Sequence, residues 1–309
     1  MLEKYRARLE PGMLDCLCRS ERTSMGDSGD PVDEQRRRYR EYCAAWRAPR
    51  AAGVAARDDS VAAGHGAIPI RVYRGAAAHA GSVLYMHGGG WIVGDLDTHD
   101  DVCSELAQHT GAQVVAVDYR LAPEYPYPAA FDDCCHVLDH LHADPARFGE
   151  RVVVAGDSAG GNLAAALALR ARDLELPAPA GQVLIYPGLC GDQSLPAYRE
   201  LCDAPVISSD DVGYYVRTYL GQRAPDSYAV PLLASGYSAL APAYVSVAEL
   251  DPLRDDGLVY AEKLLAAGVS AEAFVATGLT HSFLRARHAS AGAGDAFDRI
   301  AKAIVAFLR

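Results

Sequence analysis

The feature that most constrains this 309-residue chain is a regular alternation of two kinds of segment, which begins at Ile68. Short runs rich in β-branched residues alternate with Ala/Leu-rich stretches of helical length. The strand-like runs are apolar at consecutive positions, which is typical of strands covered on both faces. The runs are IPIRVY, SVLYM, AQVVAVDY, RVVVA, GQVLIYP, PAYVSVAEL and AEAFVATG, and the helical stretches lie near 99–110, 129–142, 158–172, 253–267 and 292–308. The alternation predicts an α/β fold with a mainly parallel sheet.

Two regions depart from this alternation. Residues 1 to about 55 are charged and predicted to be helical, and residues 188–236 contain Pro/Gly/Asp-rich loops with one Tyr-rich helix near 208–220. Ligands of open α/β sheets bind at the carboxyl ends of the strands, so we predict that these two regions form a mostly helical cap over that edge. The alternative is a surface excursion whose tyrosines pack only against one another.

The charge and cysteine content limit the possible partners. The chain has 29 basic and 40 acidic residues, a net charge of −11, which argues against nucleic acid or an anionic membrane as a partner. No apolar stretch is long enough to span a bilayer and no secretory signal is recognised, so we expect a cytoplasmic protein. The eight cysteines include no C-x-x-C pair, and the histidines of one predicted helix are more typical of a solvated helix face than of metal ligands, so we predict no metal site; these histidines are His136, His140 and His142.

The strongest chemical motif is GDSAGG at residues 156–161. It follows the strand-like run RVVVA and opens an Ala/Leu-rich helix. Glycines on either side of a serine allow a sharp strand-to-helix turn, which exposes the hydroxyl beside the positive end of a helix dipole. We therefore predict that Ser158 is a nucleophile.

A serine hydroxyl needs a base to remove its proton and an acid to orient that base. His281 lies in a short loop after a predicted strand, and Asp251 lies directly after another. Three other carboxylates are close in sequence to Asp251, one inside the strand and two in the first turn of the next helix; they are Glu249, Asp255 and Asp256. The order Ser158, Asp251, His281 is that of an α/β-hydrolase triad.

A site for a developing oxyanion is predicted in the motif HGGGW at residues 87–91, which follows the strand-like run SVLYM. Successive glycines let backbone N–H groups converge on one oxygen without interference from a Cβ atom. We predict that Gly88 and Gly89, together with Ala159 at the serine turn, form this oxyanion hole.

These motifs resemble the hormone-sensitive-lipase-like branch of the α/β-hydrolases, a bacterial group of mostly carboxylesterases. The blocks that carry the resemblance span about residues 80–285 and are HGGGWIVGDLDTHD, DYRLAPEYPYPAAFDD, GDSAGGNLA and DPLRDDG. The resemblance implies one α/β-hydrolase domain over 1–309, a capped sheet of about eight strands with helices on both faces, and no metal or organic cofactor. The chain departs from the family pattern by having Asp256 in place of Glu and Ser282 in place of Gly.

We accordingly predict a serine carboxylesterase that hydrolyses short- to medium-chain esters of small molecules, with a homodimer as its possible assembly. The predicted substrate-binding residues are Trp91, Tyr186, Tyr214, Tyr215 and Ser282.

Three rival functions stay open at this point. An amidase or deacetylase would use the same three side chains, and a matched pair of amide and ester substrates would distinguish it. A non-catalytic ligand receptor is expected to have lost a member of the triad, whereas this chain has all three. A structural protein would leave Ser158 inert to a fluorophosphonate probe.

Overall fold

The computed structural model describes residues 2–20, 29–76, 81–191 and 193–309. In this part of the chain, eight strands form one sheet in the order β1-β2-β4-β3-β5-β6-β7-β8. The strands are β1 (Ala55–Ala63), β2 (Gly66–Arg74), β3 (Gly81–Met86), β4 (Gln113–Val117), β5 (Arg151–Asp157), β6 (Gly181–Ile185), β7 (Ala243–Leu250) and β8 (Ala271–Thr280). Strands β3 to β8 pair in parallel, while β1 with β2 and β2 with β4 are antiparallel. The predicted α/β fold with a mainly parallel sheet is confirmed.

One strand was not predicted. Strand β1 has the sequence AARDDSVAA, and most of its side chains are partly or fully exposed. Its alanines and acidic residues give no β-branched apolar run, because it is an edge strand held by its hairpin with β2. The strand begins at Ala55, where the region predicted to be helical, residues 1 to about 55, ends.

Helices cover both faces of the sheet, as the resemblance implied. One face packs against α5, α7 and α10, with Phe131, Leu163 and Tyr260 in its core. The other packs against α2, α4 and α11, with Leu106 and Phe297 in its core. The helices are α1 (Leu2–Tyr5), α2 (Pro11–Ser20), α3 (Val32–Trp46), α4 (Asp100–Thr110), α5 (Ala129–Ala143), α6 (Pro145–Phe148), α7 (Ala159–Asp173), α8 (Pro196–Glu200), α9 (Ser209–Leu220), α10 (Arg254–Ala266) and α11 (Ala291–Leu308).

The two regions predicted to form a cap are in contact with each other. In the N-terminal region, the Gln35 side chain of α3 donates a hydrogen bond to Tyr214 Oη of α9 at 2.9 Å. Arg36 of the same helix donates to the backbone carbonyls of Ile92 and Ala122. Helix α3 is therefore attached both to α9 and to the loops that follow the strands. Residues 1, 21–28 and 192 of the predicted cap lie outside the described residues.

Within the described ranges, every helix is too short or too polar to serve as a membrane span.

Candidate active site

Ser158 occupies the turn between β5, which ends at Asp157, and α7, which begins at Ala159. Its backbone has a φ of 54° and a ψ of −115°, a conformation that residues other than glycine rarely adopt. Glycines make the turn possible, since a Cβ atom on Gly160 would overlap the Met86 carbonyl. The strained turn directs the serine hydroxyl out from the sheet edge, as the GDSAGG motif predicts.

Three side chains from three separate strand ends meet at this turn. His281 Nε2 lies 3.0 Å from Ser158 Oγ, and His281 Nδ1 lies 2.6 Å from Asp251 Oδ2. Asp251 is fully buried, and its Oδ1 accepts a hydrogen bond from the Leu253 N–H at 2.9 Å. The structure thus joins Ser158, His281 and Asp251 in one continuous chain of hydrogen-bond contacts.

The three rival carboxylates have other partners. Glu249 accepts from the Gly278 N–H and pairs with Arg8. Asp255 accepts from the Ala197 N–H and pairs with Arg254. Asp256 is fully buried and accepts from the N–H groups of residues 189 and 190. None of the three is hydrogen-bonded to His281.

The prediction that Gly88 belongs to the oxyanion hole is wrong. Its N–H donates to Asp157 Oδ1 at 3.0 Å and is therefore already engaged. Gly89 lines a cavity at Ser158 together with the next glycine, Gly90, which sequence reasoning missed. The N–H groups of Gly89, Gly90 and Ala159 have no hydrogen-bond acceptor among the described residues. These three donors are free to bind a substrate oxygen.

Asp157 holds the glycine loop against the serine turn. Besides the Gly88 N–H, its Oδ1 accepts from Tyr85 Oη at 2.7 Å. Burial opposes ionisation, but His99 in its protonated form, the charge of Arg285 and the hydrogen bond from Tyr85 outweigh burial and hold the pKa of Asp157 well below its usual range. The carboxylate is therefore charged, and it fixes the loop that carries Gly89 and Gly90.

The electrostatic partner of Asp157 at neutral pH is Arg285 rather than His99. Arg285 donates to His99 Nε2 at 2.9 Å, so this nitrogen accepts and the imidazole is neutral. Burial agrees with this, because it lowers the pKa of His99. The contact of 3.4 Å between His99 Nε2 and Asp157 Oδ2 is then not a charged pair.

His87, which precedes the glycine loop, makes stability depend on pH. Burial, with a smaller effect of His99, lowers the pKa of His87 to about 4. An unfolded histidine has a pKa of about 6.5, so the unfolded state binds a proton between these values that the folded state does not. Stability is thus lost as the pH falls, and His87 accounts for about 2 kcal/mol of the loss between about pH 7 and 5. In urea titrations at both values, His87→Asn is expected to reduce this loss.

The exposed His136 provides the control for this prediction. His136→Asn should keep the pH dependence of the wild-type unfolding free energy. If His87→Asn and wild type lose the same free energy between the two pH values, burial of His87 is not the cause.

Two cavities meet at Ser158. The first has mainly apolar walls that include Trp91, Leu189, Ile207, Val212, Tyr215, Val216, Tyr219, Leu220, Val230 and Leu253. The second is more polar and is lined by Tyr39, Gly89, Gly90, Val93, Asp157, Ser158, Val206, Ile207, Asp211, Tyr215, His281 and Ser282. Three of the five predicted substrate-binding residues line a cavity, namely Trp91 in the first, Ser282 in the second and Tyr215 in both.

The other two predicted substrate-binding residues line neither cavity. Tyr186 is buried behind His281, with the two ring centroids 4.8 Å apart, so it supports the imidazole instead of facing a ligand. Tyr214 accepts the hydrogen bond from Gln35 and packs towards α3. Both predictions are corrected for this reason.

Several lining residues were missed at the sequence level. Asp211, Val212 and Tyr219 lie three or four residues before or after Tyr215 along α9, so helical periodicity would have identified them, and Val216 is the next residue after Tyr215. Tyr39 is different, because it comes from α3, and no local pattern links it to Ser158. Among the described residues there is no group of three or more His, Cys, Asp or Glu side chains suited to a metal ion.

Comparisons with known proteins agree with this architecture. The family model for the alpha/beta hydrolase fold matches residues 83–285, which is more than half of the chain. Esterase LipI of Mycobacterium tuberculosis is 46% identical over 214 residues, which cover 67% of each protein. Carboxylesterase NlhH of the same organism is 44% identical over 70% of this chain and 71% of its own length.

A solved structure titled Bacterial Heroin Esterase superposes with a TM-score of 0.91 at 31% identity, over 98% of this chain and 99% of that one. The resemblance stated from the motifs is confirmed. The chain belongs to the alpha/beta-hydrolase fold family, in its hormone-sensitive-lipase-like group of carboxylic ester hydrolases.

Proposed function

We propose that the chain is a serine carboxylesterase that works through an acyl-enzyme intermediate, with Ser158 as nucleophile, His281 as general base and Asp251 as orienting acid. The observation that carries this proposal is the contact chain from Ser158 through His281 to Asp251, at 3.0 and 2.6 Å, with open space beside the hydroxyl. The family membership supports the same reaction class, and the substrate is a small-molecule ester.

The reaction follows from these positions. His281 takes the Ser158 proton while Oγ attacks the ester carbonyl, and the carbonyl oxygen becomes an oxyanion. The N–H groups of Gly89, Gly90 and Ala159 donate to this oxygen, aided by the N-terminus of α7. Protonated His281 then gives its proton to the leaving alcohol. Water, activated by the same imidazole, attacks the acyl-enzyme and releases the acid.

The position of His281 supports a role for each of the two cavities. The leaving alcohol oxygen receives its proton from His281, so the alcohol group lies on the imidazole side. His281 and Ser282 line the second cavity and not the first. We therefore assign the second cavity to the alcohol group and the first, with its apolar walls, to the acyl chain.

The cap is part of the same proposal. Tyr39 from the N-terminal region and Ile207 and Tyr215 from 188–236 line the cavities, which supports a cap formed by about 1–55 and 188–236 over one domain, 1–309. A cytoplasmic location and a homodimer stay predictions from the sequence.

The packed walls of the first cavity favour short to medium acyl chains. Trp91 and Tyr219 stack with ring centroids 4.2 Å apart and form one rigid wall. Forcing a long chain against such packed walls costs roughly 1–3 kcal/mol, so kcat/KM should fall about tenfold or more from hexanoate to palmitate. The measurement uses p-nitrophenyl acetate, butyrate, hexanoate, decanoate and palmitate. A maximum at palmitate would contradict the proposal.

A pair of variants tests whether this cavity sets the acyl-chain length at which kcat/KM is highest. Leu220 lines it, so Leu220→Ala should move the optimum towards longer chains. Leu174 is exposed and lines neither cavity, so Leu174→Ala should leave the profile as it is.

A further inference from the structure

The cavity assigned to the alcohol group contains a carboxylate that the reaction does not use. Asp211 lies in the first turn of α9, and its half-buried side chain lines this cavity together with Ser158 and His281. No Lys or Arg is among the residues that line this cavity within the described chain.

The negative charge of Asp211 is not paired with a cation. Its Oδ2 accepts from the Ser208 backbone N–H at 2.9 Å and from Ser208 Oγ at 2.6 Å, and both donors are neutral. Among the described residues, no nitrogen of a Lys, Arg or His side chain lies within 4.0 Å of the Asp211 carboxylate. These bonds hold the carboxylate in place but leave its charge without a counter-ion.

The other acidic residue of the cavity differs in this respect. The Asp157 carboxylate accepts hydrogen bonds from the Gly88 N–H and Tyr85 Oη, and Arg285 is its electrostatic partner. It is also only 4% exposed. Asp211 is therefore the carboxylate that a bound alcohol group would meet.

Two aromatic side chains line the same space. Tyr39 of α3 and Tyr215 of α9 both border the cavity, and aromatic faces carry partial negative charge that attracts cations. The net charge of −11 adds a field that draws cations towards the protein and repels anions. The Asp211 carboxylate, the aromatic rings and the long-range field thus all favour a positively charged ligand.

We propose that the esterase prefers esters whose alcohol group carries a positive charge, such as amino-alcohol or quaternary ammonium esters, and that Asp211 is the residue that selects them. This inference rests on the proposed function, because it assigns a substrate class to the same site.

The test compares acetylcholine with 3,3-dimethylbutyl acetate, a neutral ester of nearly the same shape in which a carbon atom replaces the charged nitrogen. The quantity measured is the ratio of the two kcat/KM values. Asp211→Asn removes the charge but keeps an oxygen that can accept from Ser208. We expect this variant to lower the ratio, choline over neutral ester, on the order of fivefold, as for a partly solvated charge pair.

Asp210 offers a matched control, because it lies in the same turn of α9, is exposed and lines neither cavity. Asp210→Asn should leave the ratio within about twofold of wild type, since an exposed charge at that position is screened. A second measurement is inhibition of p-nitrophenyl acetate hydrolysis by choline. Its inhibition constant should rise in Asp211→Asn and not in Asp210→Asn.

The outcomes separate the two proposals. An unchanged ratio and an unchanged choline inhibition constant in Asp211→Asn overturn the selection of cations, and so does an equal change in Asp210→Asn. If wild type hydrolyses none of these esters, including p-nitrophenyl acetate, the esterase assignment itself fails.

Discussion

Replacing Ser158 with alanine is expected to lower kcat by about four orders of magnitude or more while the fold stays intact. The hydroxyl is the atom that attacks the ester, and its Oγ contacts the His281 imidazole at the cavity surface rather than a packed core. Without it, only ester binding and the oxyanion donors remain to speed hydrolysis by water. The measurement is p-nitrophenyl acetate turnover, with labelling by a fluorophosphonate and thermal unfolding recorded on the same samples.

Ser246 provides the matched control. Its buried Oγ in β7 has no hydrogen-bond partner among the described residues, so Ser246→Ala removes a serine hydroxyl without breaking a bond. This variant should keep kcat within about twofold and should still be labelled. If Ser158→Ala retains wild-type turnover or reacts with the fluorophosphonate, another residue is the nucleophile.

Asp251→Asn is expected to lower kcat on the order of 10⁴-fold by trapping the imidazole in the wrong tautomer. Asp251 Oδ1 accepts from the Leu253 N–H, so the amide oxygen of asparagine takes that place. The amide NH₂ then faces His281 Nδ1, where Oδ2 lay at 2.6 Å. It donates to Nδ1, so the ring proton moves to Nε2, and this nitrogen can no longer accept the serine proton. The measurement is kcat across the neutral pH range.

Asp255→Asn is the control for this prediction. Asp255 lies four residues further along the chain and binds Arg254 and the Ala197 N–H, so its loss should change kcat by less than about threefold. Near-wild-type activity in Asp251→Asn together with an inactive Asp255→Asn would show that the orienting acid has been assigned to the wrong residue.

The sheet could be predicted because its buried strands carry a signal in their own residues. Strand β3 is buried at every position, as its apolar run indicates. Strand β1 lacks this signal because it is an exposed edge strand. It is held by hydrogen bonds to its neighbour and needs no apolar run of its own. Its existence is decided by the hairpin with β2, which a reading of local composition does not capture.

At the site, the sequence shows which residues lie near the nucleophile better than it shows which of their N–H groups and side chains face the substrate. The motif HGGGW marks a loop near the nucleophile, but which N–H points at the substrate depends on Asp157, a contact from another strand. Tyr214 and Tyr215 are neighbours in sequence, yet about 100° of helical rotation separates their side chains. One therefore borders both cavities, and the other packs against α3.

The walls of the two cavities and the reacting groups come from different parts of the fold. Ser158, Asp251 and His281 follow the strands, whereas Tyr39, Ile207 and Tyr215 belong to connecting segments outside the sheet. Connections tolerate substitution better than packed strands do. New substrate ranges can therefore evolve by replacing residues in these segments, while the hydrolytic step is inherited without alteration.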